Sequence, residues 1–186
     1  QGDAFSLVQA VVLHSQGGTT VGHGLRQNSV LGTEQVSDRV VTGIANLGKR
    51  AQVKIQGAEN FHRSGLGTKI FQALAEAAVS VDLIYVSPDR IAFIIDQAKV
   101  DTAKRVLEPM ELDVQIEVGF AKVSVVGAGM HGVPGVMARV VNCLESEGIP
   151  IHQTTDSHAN ISCLVLEEHV LRAVQALYRE FQLDRI

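Results

Sequence analysis

The stretch Ala121-Lys-Val-Ser-Val-Val-Gly127, which continues Ala-Gly-Met-His-Gly-Val-Pro-Gly135, echoes an earlier one, Ala51-Gln-Val-Lys-Ile-Gln-Gly57. Both are apolar runs that break at a glycine and then enter an amphipathic segment, so each reads as strand, loop and helix. The offset of 70 residues holds without a gap: Gly65 lies over Gly135, Leu74 over Leu144, Val81 over Ile151, Ser87 over Ser157 and Leu107 over Leu177. A fixed period maintained over that length is the mark of a duplicated unit.

Duplication also decides how the glycines are read. Gly127, Gly129 and Gly132 have the G-x-G-x-x-G spacing that lets a dinucleotide-binding fold bring backbone to a pyrophosphate. No acid follows at the ribose-binding distance, since the region of Ile149 and Ile151 is apolar and Asp156 comes too late. The first copy has no such pattern, reading Gly57-Ala-Glu-Asn-Phe-His-Arg-Ser-Gly65 in its place. A nucleotide-binding oxidoreductase fragment therefore ranks behind a strand-to-helix connection.

Each copy carries the same element series. The first is expected as strand 51–57, a helix from Leu66 to Ala78, strands 80–86 and 90–96 around a turn at Ser87-Pro-Asp89, helix 99–110 and strand 112–118. Leu66, Ile70, Leu74 and Ala78 make a one-sided stripe that packs on a sheet. Arg90-Ile-Ala-Phe-Ile-Ile-Asp96 is nearly all apolar, as in an interior strand, whereas Asp113-Val-Gln-Ile-Glu-Val118 alternates and has one wet face. The order β-α-β-β-α-β is the ferredoxin-like split arrangement, four antiparallel strands with two helices on one face, an α+β fold. The second copy gives strand 121–127, helix 134–147, a hairpin of 149–156 and 159–166, and helix 168–181, but no fourth strand. Its first strand would be left with an open edge. Arg39-Val-Val-Thr-Gly-Ile-Ala45, ending before Asn46-Leu-Gly-Lys-Arg50, is an orphan strand of suitable length, which nests the first copy within the second.

With 186 residues, 46% hydrophobic and 19% charged, and a net charge of −4, the chain has material for two small domains and no basic cluster for nucleic acid. It has no apolar run of membrane-spanning length and no signal pattern, so a cytoplasmic location is expected. Cys143 and Cys163 sit in apolar settings and are expected to be reduced core residues. The first residue is Gln1 and not methionine, from which processing or a cut chain, and a missing N-terminal part, are expected. No catalytic set and no metal-ligand spacing is present: His14 and His23 read as solvated, and His131, His152 and His158 match no ligand pattern. The glycine-led helix starts are the better binding candidates. Their free backbone N–H groups attract a carboxylate, and an acid such as Asp82 could take an ammonium, which together fit a small amino acid.

Val41-Thr-Gly-Ile-Ala45, Ala121-Lys-Val-Ser-Val-Val-Gly-Ala-Gly-Met130, Gly132-Val-Pro-Gly-Val136, Thr155-Asp-Ser157 and Ile161-Ser162 together resemble the regulatory region of bacterial aspartokinases, over about Arg39 to Leu183. Asp156-Ser-His158 and the long, glycine-poor first loop are most similar to the diaminopimelate- or lysine-responsive type. The resemblance implies two ferredoxin-like ACT domains: 51–119, nested within a discontinuous second made of 39–50 and 120–186. Residues 1–38 would be a linker and the tail, to about Gly24, of an absent kinase domain, or the equivalent start of a separate regulatory subunit. It further implies a homodimer through ACT domains and a catalytic domain or subunit as partner. No cofactor would belong to this region, ATP and Mg being those of the kinase domain. An end-product amino acid (lysine, diaminopimelate or threonine) would act as feedback inhibitor of aspartate phosphorylation. The effector contacts implied are Arg63, Ser64, Gly65, Leu66, Gly67, Ser80, Val81, Asp82 and Val86, with Val136, Met137, Pro150, Ile151, Ser157 and His158 across the interface. The first loop, His62-Arg-Ser-Gly65, departs from the family's Asp-x-Pro-Gly and is two residues longer, and Val86 stands where a glutamine is often found. A pair of ACT domains that only holds subunits together, without a ligand, is the alternative.

Overall fold

The computed structural model describes residues 40–56, 65–128, 130 and 133–183. In chain order the elements are β1 (Gly43–Gln56), α1 (Leu66–Glu76), β2 (Val81–Val86), β3 (Arg90–Asp96), α2 (Val100–Leu107), β4 (Asp113–Val126), α3 (Val136–Ser146), β5 (Gln153–Asp156), β6 (Asn160–Leu166) and α4 (Val170–Glu180). The strands form one antiparallel sheet in the order β2-β3-β1-β4-β6-β5.

Two strands are longer than the sequence suggests. Asn46–Arg50 and the region of Gly119 were expected to interrupt the chain, yet β1 and β4 run through both and serve both modules. The first half of β1 pairs with the second half of β4, from Gly43 opposite Val126 to Leu47 opposite Lys122; the second half pairs with Asp113 to Glu117 and with β3. The N-terminal stretch thus closes the edge of the second module, and the first module is nested in it.

The chain bends at these crossings without leaving the sheet, because one residue in each strand turns left-handed: Lys49 (φ 53°) in β1 and Gly119 (φ 85°) in β4. They occupy equivalent positions in the repeat. Each N–H, turned out of the ladder, finds a side chain from the 3₁₀ turn after the third strand of a module: Lys49 N donates to Glu167 Oε1 (3.3 Å) and Gly119 N to Gln97 Oε1 (3.4 Å). An exposed β-bend with satisfied donors costs little, which is why the polar residues there do not end the strands.

Three apolar clusters follow. On the helix side of the first module, Val53, Ile55, Phe93, Ile95, Ile70, Leu74 and Leu107 are buried together, with Phe71 tilted against Phe93 at 5.8 Å. On the helix side of the second, Ile44, Val123, Val125, Val140, Leu144, Cys163, Val165 and Leu177 do the same. The third lies on the opposite face of the sheet, where Leu83, Ile94, Phe120 and Leu164 meet. β3 is therefore apolar on both faces, as its sequence predicts. The two end strands of the sheet, β2 and β5, approach one another across this third cluster: Gln153 donates to the Leu83 carbonyl, Gln52 Nε2 to Gln153 Oε1 (2.9 Å), and the Lys122 ammonium pairs with Asp82. Phe120 packs edge-on against His152 at 4.9 Å.

Candidate functional site

α3 opens at Gly135, which is left-handed (φ 89°) and whose helix has no side-chain cap and no acid in its first turn. The first intrahelical bond is Arg139 N to Gly135 O (3.0 Å), so the N–H groups of Val136, Met137 and Ala138 lack helical partners. Beside this helix start lies the β5–β6 turn. Ser157 builds it: its N–H donates to Asn160 O (2.8 Å), and its hydroxyl accepts from the N–H groups of Asn160 (3.1 Å) and Ala159 (3.3 Å). The two elements enclose a cavity of about 400 Å³ lined by Met130, Val133, Gly135, Val136, Met137, Asp156, Ser157, His158 and Ile161.

This cavity has the parts to hold a small zwitterion. The helix start supplies N–H donors and the positive end of a dipole for a carboxylate, the exposed Asp156 supplies a carboxylate for an ammonium, and Met130, Val133, Met137 and Ile161 supply an apolar wall. Four of the implied contacts, Val136, Met137, Ser157 and His158, are brought together here. Val136 itself is buried and serves the core, and the Ser157 hydroxyl is occupied by its own turn. Pro150 and Ile151 lie before β5, at the other end of that strand, and Ile151 packs on the second core.

The remaining implied contacts belong to the first module. Arg63 and Ser64 lie outside the described residues, as do His14, His23 and His131. Gly65 (φ 64°), Leu66 and Gly67 form the start of α1, the counterpart of the α3 start. Ser80 and Asp82 are exposed, Val81 half-buried, and Val86 exposed at the end of β2. Burial disfavours the ionised form of Asp82, but its hydrogen bonds from Lys122 and the Leu83 N–H, together with the Lys122 and Arg50 charges, outweigh this and lower its pKa. Asp82 is thus already paired within the chain.

Sequence reasoning left Met130, Val133, Asp156 and Ile161 out of the site. Their signal was the equivalence of the two glycine-led helix starts, which marked the place but not which neighbours close around it. A second cavity, of about 450 Å³, lies between α2 and the start of β4 and is lined by Lys104, Arg105, Leu107, Glu108, Leu112, Val114 and Ile116. Among the described residues no group of three or more His, Cys, Asp or Glu side chains could hold a metal ion, and no helix is long and apolar enough to cross a membrane. Gly127, the first glycine of that spacing, has a structural use instead: a Cβ there would stand 1.9 Å from the Val40 carbonyl oxygen, so this glycine admits the incoming N-terminal stretch. An antiparallel sheet is also the wrong frame for a dinucleotide crossover.

The model of the ACT domain family matches residues 53–109 and again residues 123–181. The chain belongs to the ACT-domain family. Both matched segments coincide with the modules seen in the sheet, and the ACT repeat is 38% identical over 150 residues to aspartokinase 1 of Bacillus subtilis, covering 81% of this chain and 37% of that protein. An aspartokinase of Thermus thermophilus is 31% identical over 159 residues, covering 80% of this chain and 39% of that protein. The chain therefore spans less than two fifths of the length of these curated relatives. Among solved structures, the ligand-free regulatory subunit of aspartate kinase from Thermus thermophilus superimposes with a TM-score of 0.70 at 30% identity, covering 76% of this chain and 99% of that one. The resemblance to aspartokinase regulatory regions, and the tandem ACT fold it implied, are borne out.

Proposed function

We propose that this ACT pair is the regulatory part of an aspartokinase, binding an end-product amino acid of the lysine, diaminopimelate or threonine kind and thereby inhibiting phosphorylation of aspartate by a cytoplasmic catalytic domain or subunit. The observation that carries this is the cavity at Gly135–Met137 and Asp156–His158, where open helix N–H groups and an exposed carboxylate share one space of about 400 Å³. Support for the kinase partner comes from the relatives, whose lengths exceed this chain by a further domain's worth of residues. Support for a homodimer comes from β2, an end strand whose Ile84, Tyr85 and Val86 are about half exposed and form an apolar edge suited to a second copy.

Calorimetry and thermal shift with lysine, threonine, methionine and diaminopimelate test the ligand. A binder at 100 times its Kd adds about 2.7 kcal/mol to stability. Absence of any response favours the second reading, an ACT scaffold that only joins subunits, to which the half-exposed Ile84, Tyr85 and Val86 of β2 are suited. Sedimentation over a range of concentrations tests the dimer, and a concentration-independent monomer would refute it.

A further inference from the structure

β2 is kinked. Val81 and Asp82 pair with Ile95 and Ile94, Tyr85 and Val86 with Ala92 and Ile91, so Leu83 and Ile84 together face the single residue Phe93. Leu83 takes up the extra residue in a left-handed conformation (φ 46°), which a bulky side chain rarely adopts and which persists only when its surroundings enforce it. The repeat itself does not enforce it, because Gln153, the counterpart of Leu83, is not left-handed and β5 pairs with β6 in unbroken register.

What enforces the kink comes from the second module. Gln153 donates to the Leu83 carbonyl and is itself held by Gln52; Lys122 pairs with Asp82, whose other carboxylate oxygen accepts the Leu83 N–H. The Leu83 side chain is buried against Phe120 and Leu164 of the second module as well as Ile94. The carbonyl of the kinked residue is thus gripped directly from across the sheet, and its N–H is held by Asp82, which Lys122 anchors from the second module.

We propose that Leu83 is a strained switch residue for which Gln153 and Lys122 are the catch. Left-handed and extended backbone at one residue are discrete states, so β2 has two shapes, and the catch selects the kinked one. The shape of β2 aims the apolar edge Ile84–Val86. Gln153 begins the four-residue strand whose other end, Asp156, opens onto the cavity. A ligand in that cavity therefore biases the shape of β2; this last step rests on the cavity being a ligand site.

Hydrogen exchange on the full 186-residue chain tests the catch. Gln153→Leu and Gln153→Glu both abolish donation to the Leu83 carbonyl, the second while keeping size and the bond from Gln52, and each is expected to speed exchange of residues 81–86 by tenfold or more with 50–56 unchanged. Lys122→Met is expected to act alike and Lys122→Arg to restore protection. Asp82→Asn, at a half-exposed side chain, serves if the others fail to fold. Unchanged exchange at 81–86 in these variants overturns the proposal. In the ligand arm, lysine, threonine or diaminopimelate is expected to slow exchange at both 156–161 and 81–86 in the wild type, but only at 156–161 in Gln153→Leu. Equal slowing of 81–86 in both proteins overturns the coupling. No slowing at 156–161 with any amino acid overturns the ligand site instead and leaves the catch to be judged by the variants alone.

Discussion

Single backbone positions decide much of this molecule's stability. Ala78 and Gly148 are equivalent residues just past α1 and α3, both left-handed (φ 54° and 65°), and each helix closes with the same pair of bonds, such as Val79 N to Leu74 O (2.9 Å) and Ile149 N to Leu144 O (3.0 Å). The second copy has the residue this ending prefers and the first does not. Ala78→Gly is accordingly expected to stabilise the protein by about 0.5–1 kcal/mol in urea unfolding, since relief of left-handed strain exceeds the entropy of the added glycine. Gly127→Ala is expected to destabilise it by about 3 kcal/mol or to prevent folding, because the obstructing atoms at Val40 are backbone and cannot rotate away. Asp82 carries a pH dependence. Its folded pKa is below the ordinary 3.8, so its contribution is complete at neutral pH and is lost as pH falls through the folded value. Between about pH 5 and about pH 3 the melting temperature of the wild type should therefore fall more steeply than that of Asp82→Asn.

At the scale of elements, the helices and inner strands were legible because burial imposes a period. Ile70 and Leu74 of the expected stripe are fully buried, whereas Ala78 lies beyond the helix end in a left-handed turn, and Ile91 to Ile95 are buried without exception, as a strand covered on both faces requires. What escaped the sequence was the continuity of β1 and β4. Lys49 and Gly119 look like breakers, and only the side chains of Glu167 and Gln97, more than 20 residues away along the chain, make them bends inside a strand. Cys163, on β6, shows the consequence of such burial chemically: loss of solvation pushes its thiol up to about 11. Native protein should thus leave Cys163 unmodified by iodoacetamide at pH 8, with labelling that rises only as urea unfolds the chain; mass spectrometry of the Cys163 peptide would register this.

Over the whole molecule, the shared strands β1 and β4 run through both modules. Removal of residues 1–50 takes away the partner of Ser124 to Val126 and the Ile44 contribution to the second core, leaving a three-stranded module with an open edge. Such a chain is expected to lose the cooperative unfolding transition of the second module and to aggregate, while 51–119 retains its four paired strands; calorimetry of the two chains side by side would show it. Sequence alone determined the duplication, the α+β class and the nesting, because a 70-residue offset, hydrophobic periods and a missing fourth strand are properties of the order of residues. Only the tertiary structure decided that β2 and β5 meet, that Asp82 is claimed by Lys122, and that Asp156 shares a cavity with the start of α3. The reason is physical: local pattern fixes which face of an element is apolar, but the curl that brings the two ends of a sheet together depends on bends and cross-sheet contacts between residues 40 to 101 positions apart.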